Sequence, residues 1–210
     1  MRRTVRIAML CAVVAGAAIG AQAQGKGDQA NQRLGPPVDG TTGGPFCSTT
    51  TIVIPDNDPG GVTDALVIAE SFLITDLNVG VSVAHSWVGD LIFTLEHVDT
   101  GTTAVIIDRV GVPVVSTVGC GGDDILAEID DEAALPVEDE CADAVPTING
   151  SFIGGDPANN SLLAAFAGED INGTWTMTVS DNAGLDTGVM NEWCLVTTPV
   201  PVELMGFSVE

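Results

Sequence analysis

Tyrosine is missing from the chain, and basic residues nearly are: six Lys and Arg stand against 29 Asp and Glu. Each scarcity removes a class of function. A surface this poor in cations cannot neutralise a phosphate backbone, which argues against nucleic acid as a partner. With three Trp and no Tyr there is little to build the exposed aromatic platform of a carbohydrate-binding jelly roll. GxSxG, HExxH and CxxC are all absent, and so is any paired-carboxylate signature. The usual carriers of hydrolytic, zinc and dithiol chemistry are therefore not announced. Beyond residue 23 no apolar run approaches the roughly 18 residues that a spanning helix needs.

What is present begins with an export signal. Arg2, Arg3 and Arg6 form a basic head, Ile7 to Ile19 an apolar stretch, and Ala21-Gln22-Ala23 a small-x-small cleavage pattern. This reads as a signal peptide over 1–23, cut near Ala23, and places the mature protein outside the cytoplasm, secreted or periplasmic. Cys11, inside the apolar stretch, does not read as a lipoprotein site. Without the signal only Lys26, Arg33 and Arg109 remain basic, so the mature charge is 3 − 29 = −26. Two readings of that charge stand side by side: solubility or salt tolerance, and the binding of divalent cations.

Residues 24–45 are rich in Gly, Pro, Gln and Asp and cannot bury enough apolar surface to offset ordering entropy, so they read as a flexible linker. From 46 to 198 the texture changes to short runs of Val, Ile, Leu and Thr with period-two alternation. Examples are VTDALVIA (62–69), LNVGVSVAH (77–85), LIFTLEH (91–97), TAVIIDR (103–109), TWTMTVS (174–180) and GVMNEWCLVT (188–197). Such spacing, with Gly, Asp, Asn and Pro between the runs, predicts an all-β, antiparallel sandwich or jelly roll. LLAAFAGE (162–169) is at most one turn of helix. The interval 110–148 breaks the rhythm and reads as an acidic loop insertion, and 199–210 as an extended tail.

Four cysteines remain after the signal, which allows three disulfide connectivities. The favoured one joins Cys120 to Cys141, stapling the acidic loop, and Cys47 to Cys194, joining the start of the domain to its end. A zinc site is the alternative, with no CxxC pair and both histidines placed elsewhere to support it. Three Asn-x-Ser/Thr sequons occur, at Asn149, Asn159 and Asn172.

The stretch VAHSWVGDLIFTLEH (83–97) brings His85, Ser86 and Asp90 together, the letters of a hydrolytic triad. Parity argues against catalysis. His85 continues the inward row of Leu77, Val79, Val81 and Val83, so Ser86 points to the opposite face and cannot bond to it. Val88-Gly89 reads as a tight turn, with Asp90 placed to accept from turn N–H groups. Clustered Asp and Asn residues in loops suit calcium, which takes six to eight oxygens. The candidate ligands are Asp123, Asp130, Asp131 and Glu132; further groups are Asp56, Asn57, Asp58 and Asp64, and Asp181, Asn182 and Asp186.

Four blocks in order, IPDN, HSWVGDLIFTLEH with TAVIID, IDDEA, and AFAGEDINGTWTMTVSDNAGLDTGVMNEWCL, resemble the P/Homo B domain. That module follows the subtilisin-like catalytic domain in kexin, furin and many bacterial proteases. The resemblance spans about residues 47–197 and implies a jelly-roll β-sandwich without a triad of its own. It implies structural parts for His85, Trp87, Asp90, Trp175 and Trp193. The acidic cysteine-bearing loop, the apolar tail and the lone-domain layout depart from the family's pattern; before Phe46 there is no room for a subtilisin-like domain. The expectation is an exported, non-catalytic module that binds or stabilises a protein partner, a protease acting in trans or a surface protein, with calcium as a candidate cofactor. The competing expectation is a component of a subtilisin-like serine endopeptidase system.

Overall fold

A computed structural model describes residues 43–155 and 162–199. The signal segment, most of the linker, Asn159 and the tail from 200 onward lie outside the described residues. Ten strands build the rest: β1 Gly43–Ser48, β2 Ile52–Ile54, β3 Val62–Ile68, β4 Ile74–His85, β5 Leu91–His97, β6 Thr102–Asp108, β7 Ile125–Ile129, β8 Ile148–Phe152, β9 Gly173–Asp181 and β10 Gly188–Pro199. They form two sheets. The first runs β1-β10-β4-β7-β8, with β2 also paired to β10; the second runs β3-β9-β5-β6.

The period-two pattern produces this arrangement directly. In β4 the row Leu77, Val79, Val81, Val83 and His85 is buried, as the alternation requires. Cross-strand pairing puts Leu195 opposite Val79, Trp193 opposite Val81 and Met190 opposite Val83, so β10 adds its own apolar row to the same face. Leu91, Phe93 and Leu95 of β5 and Trp175, Met177 and Val179 of β9 face them from the second sheet. Burying one such side chain stabilises the fold by about 1.5–3 kcal/mol. The two tryptophans also satisfy their polar ends. Trp175 Nε1 donates to the Ile171 carbonyl, and Trp193 Nε1 donates to Asp64 Oδ2, a bond from β10 to β3 across the two sheets. LLAAFAGE contributes one 3₁₀ turn, Leu163–Phe166, whose Phe166 packs against Trp175.

Three expectations need correction. The sandwich is not wholly antiparallel: β8 pairs with β7 in parallel, Ile125 opposite Ile148 and Ile129 opposite Phe152. The interval 110–148 is not a plain loop insertion, since it holds β7, a 3₁₀ turn at Val137–Asp139 and the first residue of β8. Parallel neighbours need a crossover of a dozen or more residues, and the acidic segment 130–147 supplies it. Finally, Gly43–Pro45, read as linker, belong to β1. Pairing with the long strand β10 orders a sequence that has no apolar pattern of its own.

Both favoured disulfides are formed. Cys47 and Cys194 face each other across β1 and β10, which fastens the beginning of the sandwich to its closing strand. Cys120–Cys141 ties the approach to β7 to the crossover that leaves it. None of the helices among the described residues is long and apolar enough to cross a membrane.

Candidate functional site

The end of β4 carries the triad letters, and the structure separates them. His85 is buried, and its Nε2 lies 3.3 Å from Asp181 Oδ2 at the end of β9, with both side chains fully shielded from solvent. Its Nδ1 faces the backbone of Trp87, 2.9 Å from the carbonyl oxygen and 3.1 Å from the nitrogen. Ser86 points away, and its hydroxyl donates to Asp186 Oδ1 at 2.8 Å. Base and candidate nucleophile thus serve different carboxylates on opposite faces of the strand.

Asp90 has another part than the one expected. Val88–Asp90 forms a 3₁₀ turn, and the carboxylate faces a cation rather than the turn's N–H groups: Arg109 Nη2 lies 3.6 Å from Asp90 Oδ1. Arg109 Nε also donates to the Gly89 carbonyl. The Asp90 carbonyl accepts the N–H of Asn182, tying the turn to the β9–β10 loop. Burial and the nearby Asp181 charge push the Asp90 carboxyl above the usual carboxylate range, with Arg109 acting in the opposite direction. Gly89 donates to the Cys120 carbonyl, and a side chain at 89 would collide with the backbone around Gly119 and Cys120. Trp87 completes the same junction, donating from Nε1 to Val118 O. This constellation is therefore an interlock between β4, β6, β9 and the 110–122 loop.

The second histidine has partners that its sequence neighbours do not reveal. His97 ends β5 opposite Trp175, and the two rings stack with centroids 4.2 Å apart. Nδ1 lies 2.7 Å from Glu169 Oε2 and Nε2 lies 3.2 Å from the Asn172 carbonyl, so both ring nitrogens face oxygen acceptors. Thr102 and Thr100 also donate to Glu169. Burial pushes the Glu169 carboxyl upward, but the bonds from Thr102, His97 and Thr100 together outweigh it and hold the group below its usual range.

The calcium candidates are not brought to one place. Asp123 precedes β7, whereas Asp130, Asp131 and Glu132 follow it. The second group is crowded. A hydrogen bond with Asp130, then the negative charge of Asp76, raise the Glu132 carboxyl. Asp130 Oδ1 accepts the Glu132 N–H, and Asp131 Oδ2 accepts the Ala164 N–H. Asp131 Oδ1 is buried without a hydrogen-bond partner, beside a small cavity of about 70 Å³ lined by Asp76, Asp131 and Glu132. Oxygen donors near an unsatisfied carboxylate oxygen fit a hard cation in chemical type. Cys47, Glu192 and Cys194 also cluster, but the two sulfurs are spent in the disulfide.

Sequence reasoning missed Asp181, Arg109 and Glu169 as partners of the marked residues. One signal was available for Arg109. It is the only Lys or Arg among the described residues, so any buried carboxylate needing a cation had to find it. The sequon residues differ: Asn149 is exposed on β8, whereas the Asn172 amide is engaged with the Ile68 carbonyl.

Comparison with known proteins follows the same lines. A family model, the proprotein convertase P-domain, matches residues 152–197, which run from the end of β8 through β9 into β10. The match takes in the last of the four sequence blocks; IPDN, the 85–97 block and IDDEA lie outside it. Among solved structures, the serine protease of Aeromonas sobria in complex with its chaperone is similar at 16% identity and a TM-score of 0.46, covering 80% of this chain and 28% of that one. The serine protease of Aeromonas sobria described by itself gives 15% identity and a TM-score of 0.46, covering 81% and 28%. The present chain thus spans little more than a quarter of those protease chains. No curated protein matches it in sequence. Over residues 152–197 the chain is similar to the proprotein convertase P-domain.

Proposed function

We propose that this chain is an exported, non-catalytic β-sandwich module that binds or stabilises a protein partner, either a subtilisin-like protease supplied in trans or a surface protein. The observation that carries the reading is the P-domain match in the closing strands. Two further facts support it. Ser86 and His85 are committed to separate carboxylates, so the triad letters make no nucleophile–base pair. Two disulfides suit an oxidising compartment outside the cytoplasm. Jelly-roll winding belongs to the same reading, supported by a chain that passes repeatedly from one sheet to the other.

The test is protection in trans. The intact chain is mixed with a subtilisin-like protease from the same source, and the protease's half-life at elevated temperature is measured. A longer half-life, saturating with added chain, is expected; an unchanged one at saturating chain removes the protease as the partner. The rival reading, that the chain itself cuts peptides, is examined with casein and a serine-directed inhibitor. Inhibitor-sensitive turnover lost in Ser86→Ala would establish it.

A second reading concerns calcium, favoured by the unsatisfied Asp131 Oδ1. Asp131 and Glu132, with Asp130 and Asp76 close by, would hold the ion and hold the crossover against β4. A ligand of the folded state alone raises stability by about 2.7 kcal/mol at a hundredfold excess over its Kd. A melting temperature that rises with calcium in the wild type and not in Asp131→Asn is the expected result. Identical melts in chelator and calcium would remove the ion from the account.

A further inference from the structure

Two loops at the end of the sandwich where β4 finishes present apolar side chains that the interior does not take in. Adjacent residues at the exit of β4 seat one loop each. Ser86 donates to Asp186 Oδ1 in the 182–187 loop, and Trp87 donates from Nε1 to Val118 O in the 109–124 loop. The first loop carries Leu185, 97% exposed, and the second carries Val114, Val115 and Val118, all exposed. A lone exposed apolar residue is ordinary. Leu185 is not, because its backbone also stands at φ +94°, a conformation that a bulky side chain rarely adopts and glycine adopts freely. The loop is held there. The Leu185 N–H donates to Asp56 Oδ1 at 2.9 Å, the Ala183 N–H to Asp181 Oδ1, and the Asn182 N–H to the Asp90 carbonyl. The second loop is as firmly built: the Val115 and Ser116 N–H groups donate to the Gly111 carbonyl, the Gly119 N–H donates to the Ser116 carbonyl, and Cys120 is fixed by its disulfide. Leucine at 185 thus costs backbone strain and the hydration of an apolar side chain, and a group this exposed has next to nothing inside the molecule to offset either.

We propose that these two loops form one docking surface, with Leu185 as the anchor that enters an apolar pocket of the protein partner and Val114, Val115 and Val118 as the flanking contact. The proposal rests on the partner-binding reading above and names the surface that meets the partner. Exposed apolar groups gathered at one place mark interaction sites, and a loop already fixed in shape loses little entropy when it binds. Charge decides among the occupants. Asp56 and Asp186 flank the Leu185 tip, each bonded within the loop's own support. Arg109, the only Lys or Arg among the described residues, is held against Gly89 and Asp90. An anionic bilayer is therefore repelled, and the described residues supply no other cation to draw it in. A second copy would bring the same carboxylates of two strongly acidic chains together. What fits is a different protein, with an apolar pocket and a neutral or basic rim.

The experiment labels the intact chain with 5-fluorotryptophan and follows the ¹⁹F resonance of Trp87, which seats the second loop, as the subtilisin-like protease of the protection assay is added. Trp175 and Trp193 are fully buried and serve as internal references. Saturable movement of the Trp87 resonance alone is expected. Leu185→Gly should weaken that binding, and raise the concentration needed for half-maximal protection, by about tenfold or more, the worth of burying one leucine. Its melting temperature should equal or exceed that of wild type, because glycine takes this backbone conformation without strain. Val114→Ser/Val118→Ser, at exposed positions, should weaken binding at unchanged melting temperature. Undiminished binding by both variants, or a Leu185→Gly that melts well below wild type, overturns the proposal. So does Trp87 movement with phosphatidylcholine or phosphatidylglycerol vesicles, or self-association that Leu185→Gly abolishes. The protection assay separates the two levels. Protection that neither variant weakens overturns the surface and leaves the module reading standing. A Trp87 shift lost in Leu185→Gly, without protection in trans, does the reverse. Neither shift nor protection removes both together.

Discussion

His97 lies flat on the indole of Trp175, with ring centroids 4.2 Å apart and the planes within 1°, while its Nδ1 is 2.7 Å from Glu169. One histidine thus joins the apolar core to a surface carboxylate. His97→Phe should keep the stacking and lose both hydrogen bonds. A buried bond involving a charged group contributes about 1.5–3 kcal/mol. Urea unfolding should show a loss in that range, with the near-ultraviolet signal of Trp175 retained.

Glu169 makes the same contact dependent on pH. Its folded carboxyl lies below the usual range, because the bonds from Thr102, His97 and Thr100 outweigh burial. The folded state therefore binds fewer protons there than the unfolded chain, and the group stabilises the fold above the ordinary carboxylate range. That contribution is lost as pH falls through the lowered folded value. Glu169→Gln should be less stable than wild type at pH 7, by about 1–2 kcal/mol. The gap should close in acid, as read from unfolding midpoints across the range.

Asp90 has the opposite sign. Burial and Asp181 raise its carboxyl, so the ionised form is held at a cost near neutrality. The folded state keeps the proton to higher pH than the unfolded one, and this group's contribution to stability rises as pH falls through its raised value. Asp90→Asn should flatten that rise. Asp90→Ala, which also removes the shape that fills the turn beside Arg109, should lower stability at every pH. Equal behaviour of the two variants would mean that the shape of the side chain has no part in it.

The strands that could be read in advance were those with one face in the core. β4, β5 and β9 alternate because each packs one row of side chains against the other sheet, and β10 does so on either side of an irregularity between Met190 and Glu192 that switches the parity of its inward row. β7 and β8 were hidden for physical reasons. ILAEI is short and bounded by Asp124 and Asp130, and INGSF is an edge strand whose Asn149, Gly150 and Ser151 are exposed, so no apolar row marks it. Their parallel pairing is a tertiary decision, made by the crossover and by the Cys120–Cys141 bond. Parity likewise separated Ser86 from His85 correctly, because it depends only on a strand's geometry. It could not supply Asp181, which lies 96 residues further along the chain. Nor could local spacing show that Asp123 and Asp131 stand at opposite ends of one strand.

That long-range partner sets the expectation for His85. With both side chains of the His85–Asp181 pair shielded from solvent, His85→Ala leaves a buried carboxylate without the ring it faces. Removing one member of a buried pair costs about 3–5 kcal/mol. Asp181 retains its bond to the Ala183 N–H, so the lower end of that range is expected. His85→Ala/Asp181→Asn should recover part of the loss, since the charge that was left behind is gone. A double variant as unstable as the sum of the singles would show that the two residues act independently.

The two disulfides should differ in what their removal costs. Cys120–Cys141 closes a short loop, with a sequence separation of 21, for which loop entropy gives about 3 kcal/mol. Cys47–Cys194 has a separation of 147 and on the same argument contributes more, toward 5 kcal/mol. Serine replacement of each pair should therefore lower the unfolding midpoint more for Cys47 and Cys194. The short bond has a local effect that the long one lacks. It restrains the 120–141 segment, on which the Gly89 turn rests through the Cys120 carbonyl. Amide exchange should accelerate around residues 88–90 and 120–124 in the Cys120→Ser/Cys141→Ser variant, while the β9 and β10 core stays protected. Uniform acceleration over the whole sandwich would instead make both bonds simple restraints on the unfolded chain.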